Sequence, residues 1–210
     1  MHIPFDSIIF VGGVHGTEPL PLVGLKLAGV AHLVGNPKAL EKHTRYVDRD
    51  LNRAFENTHG SDYESGRARY LLEKASPNNF VIDLHTASHV MVPFCVVTDK
   101  SMSVLAAMAG IEHVVYFPRT TNFISGSLIH VRRGMVIECG SHVDSEVPKR
   151  IVSWMEHLKK GKILVKPKIF EVFDVITESG EYEDFVLIGN FYPVFSHTKS
   201  HPGYKARLVT

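Results

Sequence analysis

Cysteine is nearly absent from this chain: two residues in 210, Cys95 and Cys139. One pair cannot make the disulfide framework of a small secreted scaffold. Charge of one sign is not in excess either. Lys plus Arg is 23, Asp plus Glu is 22, and the formal net charge is +1. That balance offers no broad field for nucleic acid or an anionic membrane, so anion recognition falls to a few placed arginines. No apolar run approaches the roughly 20 residues of a membrane-spanning helix. The opening "MHIPFDSIIFVGG" lacks a basic region, a long apolar core and a cleavage site, so it does not read as a signal peptide. Together these absences lead to the expectation of a cytoplasmic globular chain. Its length suits one domain, or one domain with a small appendage.

What the chain has in quantity is histidine: 13 residues. Most must be bland, so each needs a reason before it is read as a ligand. Hydrophobic periodicity supplies the context. Residues 7–14, 30–37, 79–85, 90–97, 113–117 and 134–140 read as strands. Residues 18–29, 61–76, 100–110 and 145–160 read as helices, with Ser61 and Glu64 as a capping pair for the second. Strand–helix alternation predicts an α/β sheet flanked by helices over residues 1–161. After Gly161 the pattern changes to apolar alternation with turn signals, which predicts a small β-rich domain over residues 162–210.

The strand ends carry the chemistry. In open α/β sheets, ligands bind outside the carboxyl ends of the strands. His15 and Glu18 follow the first strand, His85 ends "FVIDLH", and Glu138 lies near the end of "MVIECG". Two imidazoles and a carboxylate make a catalytic zinc set with one position left for water. A carboxylate that does not bind the metal is then needed to take the water's proton, and Glu138 fits. Taken singly, His-x-x-Glu also reads as a polar turn, the Asp83/His85 pair as a satisfied core contact, and Glu138 as a salt-bridged structural residue. The set is what favours zinc. The remaining histidines show no such pattern, although His89 lies four residues beyond His85. Cys139 has no sign of a partner imidazole and reads as a buried inert thiol.

The string "TRYVDRDLNRAF" (44–55) places Arg45, Arg49 and Arg53 among Asp48, Asp50 and Asn52. It reads either as a solvated charged loop or as an anion clamp. In the second case one arginine polarises a carbonyl and another grips a carboxylate. Asp48 and Asp50 would then orient guanidiniums or a metal-bound imidazole.

"GGVHGTEP", "NPKAL", "TRYVDRDLNRAF", "VIDLHTA", "VIECG" and "YPVF" (192–195) occur in the order and rough spacing of the succinylglutamate desuccinylase and aspartoacylase family. The chain resembles the aspartoacylases more closely. The resemblance implies a carboxypeptidase-like mixed sheet flanked by helices, with the β-rich C-terminal domain covering the site. It implies one zinc ion per chain, held by His15, Glu18 and His85, with Glu138 as general base and Arg45 polarising the carbonyl. Asn52, Arg53 and, across a gap, Tyr204 would bind substrate. The implied reaction is hydrolysis of an N-acyl amino acid to a carboxylate and a free amino acid, with no nucleic-acid or membrane partner. A homo-oligomer is compatible with it. One departure stands out. Where the family pattern has a substrate-binding arginine, an ungapped count gives Leu128. Arg119, Arg132 and Arg133 are the nearby candidates to replace it, and the residues do not choose among them. Two other readings share the ligands: a metallocarboxypeptidase acting on peptides, and a non-catalytic zinc-stabilised binding protein.

Overall fold

The first apolar run becomes strand β1 (Ile8–Gly12) in the computed structural model, which describes residues 3–89, 91–197 and 202–209. There follow α1 (Leu20–Leu27), β2 (His32–Val34), α2 (Pro37–Glu41), α3 (Tyr63–Lys74), β3 (Phe80–Ala87) and β4 (Phe94–Val97). Then come α4 (Ser103–Ala109), β5 (His113–Tyr116), α5 (Leu128–Val131), β6 (Arg133–Ser141) and α6 (Val147–Lys160). The chain closes with β7 (Lys168–Val175), β8 (Tyr192–Val194) and β9 (Tyr204–Val209). The strand from 90 onward is shorter than its apolar run suggested, and Val90 lies outside the described residues. Two short helices, α2 and α5, were too brief to show a 3.6-residue period. Among the described residues no helix is long and apolar enough to cross a membrane.

Local sequence explains where the helices start and stop. On α6, Val147, Ile151, Trp154, Met155 and Leu158 recur at three- and four-residue spacing and are all buried. Gly161, at φ +65°, ends it in the left-handed conformation. Asn36 caps α2 by accepting a hydrogen bond from the Ala39 N–H, with Pro37 at the first helical position. The cap of α3 differs from the sequence reading. Asp62, not Ser61, accepts from the Ser65 N–H at 2.9 Å. Glu64 does not reach back to the cap; it is buried.

All strands join one mixed sheet in the order β2-β1-β3-β6-β4-β5-β7-β9-β8. β2, β1, β3 and β6 run parallel, β4 opposes β6, and β5 and β7 follow β4 in parallel. Strand β9 returns antiparallel between β7 and β8. The C-terminal strands therefore extend the same sheet. One face packs on α1, α4 and α6 through Phe10, Ile82, Leu84, Met135 and Ile137. By strand alternation the other face carries Val81, Asp83, His85, Val136 and Glu138. There Val81 packs with Leu71 of α3, while Val136 joins Phe117, Phe195 and Tyr204.

This topology lines up the carboxyl ends of β1, β3 and β6 as neighbours, with His85 directly opposite Glu138. The chain leaves β1 through Gly13, at φ +66°, and crosses α2 at Gly16. A Cβ on Gly16 would lie 2.1 Å from the carbonyl of Ala39, and its N–H donates to the Arg45 carbonyl at 3.2 Å. Backbone faces backbone there, so no side chain can swing aside. We expect Gly16→Ala to destabilise the chain by about 1–3 kcal/mol, read as a melting point lowered by several degrees in calorimetry. An unchanged melting point would show that the crossing is looser than described.

Candidate active site

The turn after β1 places His15 and Glu18 on one side of their loop, with the Glu18 N–H donating to the His15 carbonyl at 3.1 Å. His15 Nδ1 lies 2.7 Å from Glu18 Oε1, and His85 Nδ1 lies 3.0 Å from Glu18 Oε2. The two rings meet edge-on at 5.0 Å. All three residues are buried, at 3%, 2% and 4% exposure. Their donor atoms fall within 4.8 Å of one another.

Each imidazole is backed by its own aspartate. His15 Nε2–H donates to Asp50 Oδ1 at 3.0 Å, and His85 Nε2–H to Asp83 Oδ2 at 2.9 Å. A carboxylate only accepts, so these contacts put a proton on Nε2 of both rings. The two Nδ1 atoms are left facing Glu18, which demands positive charge between them. The electrostatics agree. Burial works against the charged form of His85, yet Asp83 and Glu18 outweigh it and raise its pKa well above the ordinary value. Burial likewise opposes His15, but Glu18 and Asp50 raise it. Glu18, against its own burial, is held well below the usual carboxylate range by His15 and His85.

A proton or a metal cation can supply that charge. Tetrahedral ligands about 2.0–2.1 Å from zinc stand roughly 3.3 Å apart, close to the separations seen. The donor set is right for zinc, and the aspartates behind the imidazoles are the usual outer support of such ligands. Asp83 adds a second sign. It is wholly buried and its Oδ1 has no hydrogen-bond partner, so its charge needs more compensation than one imidazole supplies. The residues present fit a zinc ion.

Glu138 faces this group from β6. It is partly exposed to the cavity, while burial pushes its carboxyl up to about 7 against the pull of His85. Cys139 beside it is buried, which pushes its thiol well above the ordinary value and leaves it unreactive.

The arginine loop arrives from the other side. Arg45 Nε and Nη2 donate to Asp50 Oδ2 at 3.3 and 3.0 Å, so Asp50 bridges Arg45 and His15. Although burial opposes it, the His15 hydrogen bond and the Arg45 charge hold Asp50 well below the ordinary carboxylate range. Asp48 plays no such part: it accepts from the Tyr63 N–H at the start of α3. Arg49 is also outside the site, tied to Asp62, Ser65 and the Asn57 carbonyl.

A cavity of about 420 Å³ unites the residues singled out in the sequence: His15, Glu18, His85, Glu138, Arg45, Asn52, Arg53 and Tyr204 all line it. Tyr204 opens β9 and packs edge-on against Phe117 at 5.0 Å. Opposite the polar group the wall is apolar, made by Val96, Phe117, Ile124, Ile129 and Phe195. Leu128 does not reach the cavity; it is buried with Val11, Leu51 and Phe55. No replacement arginine stands in for the missing one. Arg119 donates to Thr98 Oγ1, Arg132 to the carbonyls of Ala75 and Leu72, and Arg133 lies over the Phe80 ring. None of the three lines the cavity.

Among the lining residues that the sequence reading missed are Thr86, His142 and Ser127. Thr86 donates its N–H to Glu18 Oε2 at 3.1 Å, and its hydroxyl pairs with His142 Nδ1 at 2.8 Å. Ser127 keeps a buried hydroxyl without a hydrogen-bond partner. The available clue was position. Thr86 follows a candidate ligand, and His142 lies in the loop leaving the β6 strand end. His89 also lines the cavity, its ring 5.7 Å from that of His197.

Known proteins bear on this arrangement. The sequence model of the succinylglutamate desuccinylase/aspartoacylase catalytic domain matches residues 4–144. A probable aspartoacylase of Prochlorococcus marinus subsp. pastoris is 29% identical over 169 residues, covering 70% of this chain and 57% of the relative. A Xenopus laevis N-acyl-aromatic-L-amino acid amidohydrolase (carboxylate-forming) is 34% identical over 117 residues, covering 43% of this chain and 37% of the relative. The chain spans about three fifths of the length of the curated probable aspartoacylases it matches. Succinylglutamate desuccinylase from Chromobacterium violaceum superposes with a TM-score of 0.74 at 18% identity, over 98% of this chain and 87% of that one. Murine aminoacylase 3 superposes with a TM-score of 0.73 at 18% identity, over 100% and 97%. These solved structures share the mixed α/β fold, and the domain match runs through all three strand-end motifs and the arginine loop. The chain belongs to the succinylglutamate desuccinylase/aspartoacylase family.

Proposed function

We propose that this chain is a zinc-dependent hydrolase that cleaves the amide bond of a small N-acyl amino acid. The observation that carries the reading is the buried group of two imidazoles and one carboxylate, each imidazole backed by an aspartate, facing Glu138 across one cavity. His15, Glu18 and His85 would hold the ion. Bound there, zinc would polarise the amide carbonyl and bring the pKa of a water to roughly 7.

The chain's own residues supply the rest. Glu138 takes a proton from the attacking water at its carboxylate and passes it to the leaving nitrogen. Arg45 spends Nε and Nη2 on Asp50, which leaves Nη1 to donate to the carbonyl oxygen as negative charge develops. Among the described residues Arg53 donates only Nη1, to the Asn52 carbonyl, and keeps Nε and Nη2 for a substrate carboxylate. Asn52 Oδ1 is buried without a partner and can accept from a substrate N–H. The His142 imidazole and Tyr204 ring close the cavity around the substrate.

The volume of about 420 Å³ suits a small ligand. Phe195 and Tyr204 cover one side, which favours a capped pocket over the open groove of a peptidase. The apolar wall, with no arginine in place of Leu128, favours an uncharged side chain on the substrate. A carboxylate buried against Phe117, Ile129 and Val96 would have no partner there.

Three outcomes test this reading. Glu138→Gln should retain zinc yet lose turnover by about 10²–10⁴-fold; metal analysis beside amide-hydrolysis kinetics decides it, and an active variant removes Glu138 from its role. Asp83→Asn should weaken zinc binding by roughly 10–100-fold in a chelator competition. With a panel of substrates, kcat/KM for N-acetyl-L-phenylalanine or N-acetyl-L-leucine should exceed that for N-acetyl-L-aspartate by on the order of 100-fold. Zinc near one equivalent with no hydrolysis across the panel would point to a binding protein. Turnover confined to peptides would point to a carboxypeptidase.

A further inference from the structure

Glu64 is a charged residue that does not line the cavity. It lies in the first turn of α3 at 0% exposure. Among the described residues no imidazole, guanidinium or ammonium group pairs with it. Instead its carboxylate accepts four N–H groups. Oε1 takes the Val47 N–H at 2.7 Å and the Asn36 side-chain amide at 2.9 Å. Oε2 takes the Asp48 and Arg49 N–H groups at 3.0 and 3.3 Å.

Three consecutive backbone N–H groups folded around one anion form a nest, here filled by a side chain from a distant helix. The nest lies in the middle of the arginine loop. Arg45 stands two residues before it and Asp50 one residue after it. The two ends are joined by the Arg45–Asp50 ion pair at 3.0 Å, and Asp50 reaches on to His15 Nε2. Asn36 ties the assembly to the other half of the site. Its N–H donates to the Gly13 carbonyl at 2.8 Å, just before His15, while its amide donates to Glu64. The Gly16 N–H closes the circuit on the Arg45 carbonyl.

A buried carboxylate without a counter-cation is expensive, and only several charge-assisted hydrogen bonds offset it. An apolar residue would strand four donors. Glutamine would supply one oxygen and turn an NH₂ group against N–H donors. The loop has no regular secondary structure between Lys42 and Asp50 to hold it otherwise. We propose that Glu64 is a positioning residue of this site: it moulds residues 47–49 so that Asp50, Arg45 and the Asn52–Arg53 pair keep their places against His15.

The catalytic consequence rests on the hydrolase reading above; the tether itself does not. The test compares Glu64→Gln and Glu64→Asp with the wild-type full chain. In hydrogen exchange, Glu64→Gln should speed the amides of residues 47–49 by at least about tenfold relative to those of β3. Zinc affinity in a chelator competition should fall roughly 10-fold as Asp50 loosens on His15. With N-acetyl-L-phenylalanine, kcat/KM should fall by about 10–100-fold, and by clearly less in an Arg45→Ala background, because part of the loss acts through that guanidinium. Glu64→Asp keeps the charge and should recover much of each loss. It also serves if Glu64→Gln does not fold, since its shorter reach should still unprotect residues 47–49 selectively. Unchanged protection at 47–49 overturns the proposal. So does a loss of protection only in step with global stability, or activity losses that multiply in full with Arg45→Ala. If nothing in the substrate panel is hydrolysed, the functional reading fails, and exchange and zinc affinity still decide the tether.

Discussion

Three carboxylates, those of Glu18, Asp50 and Asp83, are packed with two imidazoles at the carboxyl ends of the parallel strands of the sheet, largely out of water. Negative charge in such a place is tolerable only if every oxygen that can be met is met. Much of the surrounding architecture follows from that demand. The Thr86 N–H turns to Glu18, the Asn52 N–H to Asp50, and Arg45 lies along Asp50. His85 is wedged between Asp83 and Glu18. Each partner comes from a different segment, so the cluster fixes the positions of the β1 exit, the β3 end and the arginine loop together. The surplus of negative potential that remains would suit the group to a cation.

The cavity built on this base has two characters. Its floor is ionic and rigid, held by hydrogen bonds that run back into the sheet and to α3. Its opposite wall is hydrocarbon, with aromatic rings from β9 and the preceding loop closing over it. Leu128 completes the core beneath the arginine loop rather than reaching the cavity. The residues of floor and wall alike lie mostly within the stretch that matches the family model, residues 4–144.

Much of the site was legible in the sequence because strand ends mark it. His15, Glu18, His85 and Glu138 all follow apolar runs, and a parallel sheet brings such ends together. The eight residues expected at the site do line one cavity. The alternation of strands and helices likewise foretold the α/β sheet. Other features were illegible for physical reasons. Glu64 carries the spacing of a capping pair, and only the packing of α3 against the arginine loop reveals that its carboxylate is turned inward. Asp48 and Asp50 look alike in "VDRDLN", yet one accepts from the first amide of α3 and the other backs a histidine. That the strands beyond Gly161 add to β5 depends on pairing between distant segments, which no local periodicity encodes.

That pairing has a consequence for how small molecules reach the site. Strand β7 is hydrogen-bonded to β5 along His113–Tyr116, and β9, which carries Tyr204, is hydrogen-bonded to β7. The roof of the cavity is therefore continuous with its foundation. Small molecules therefore meet a wall whose β9 strand is tied into the sheet, not a separately folded flap.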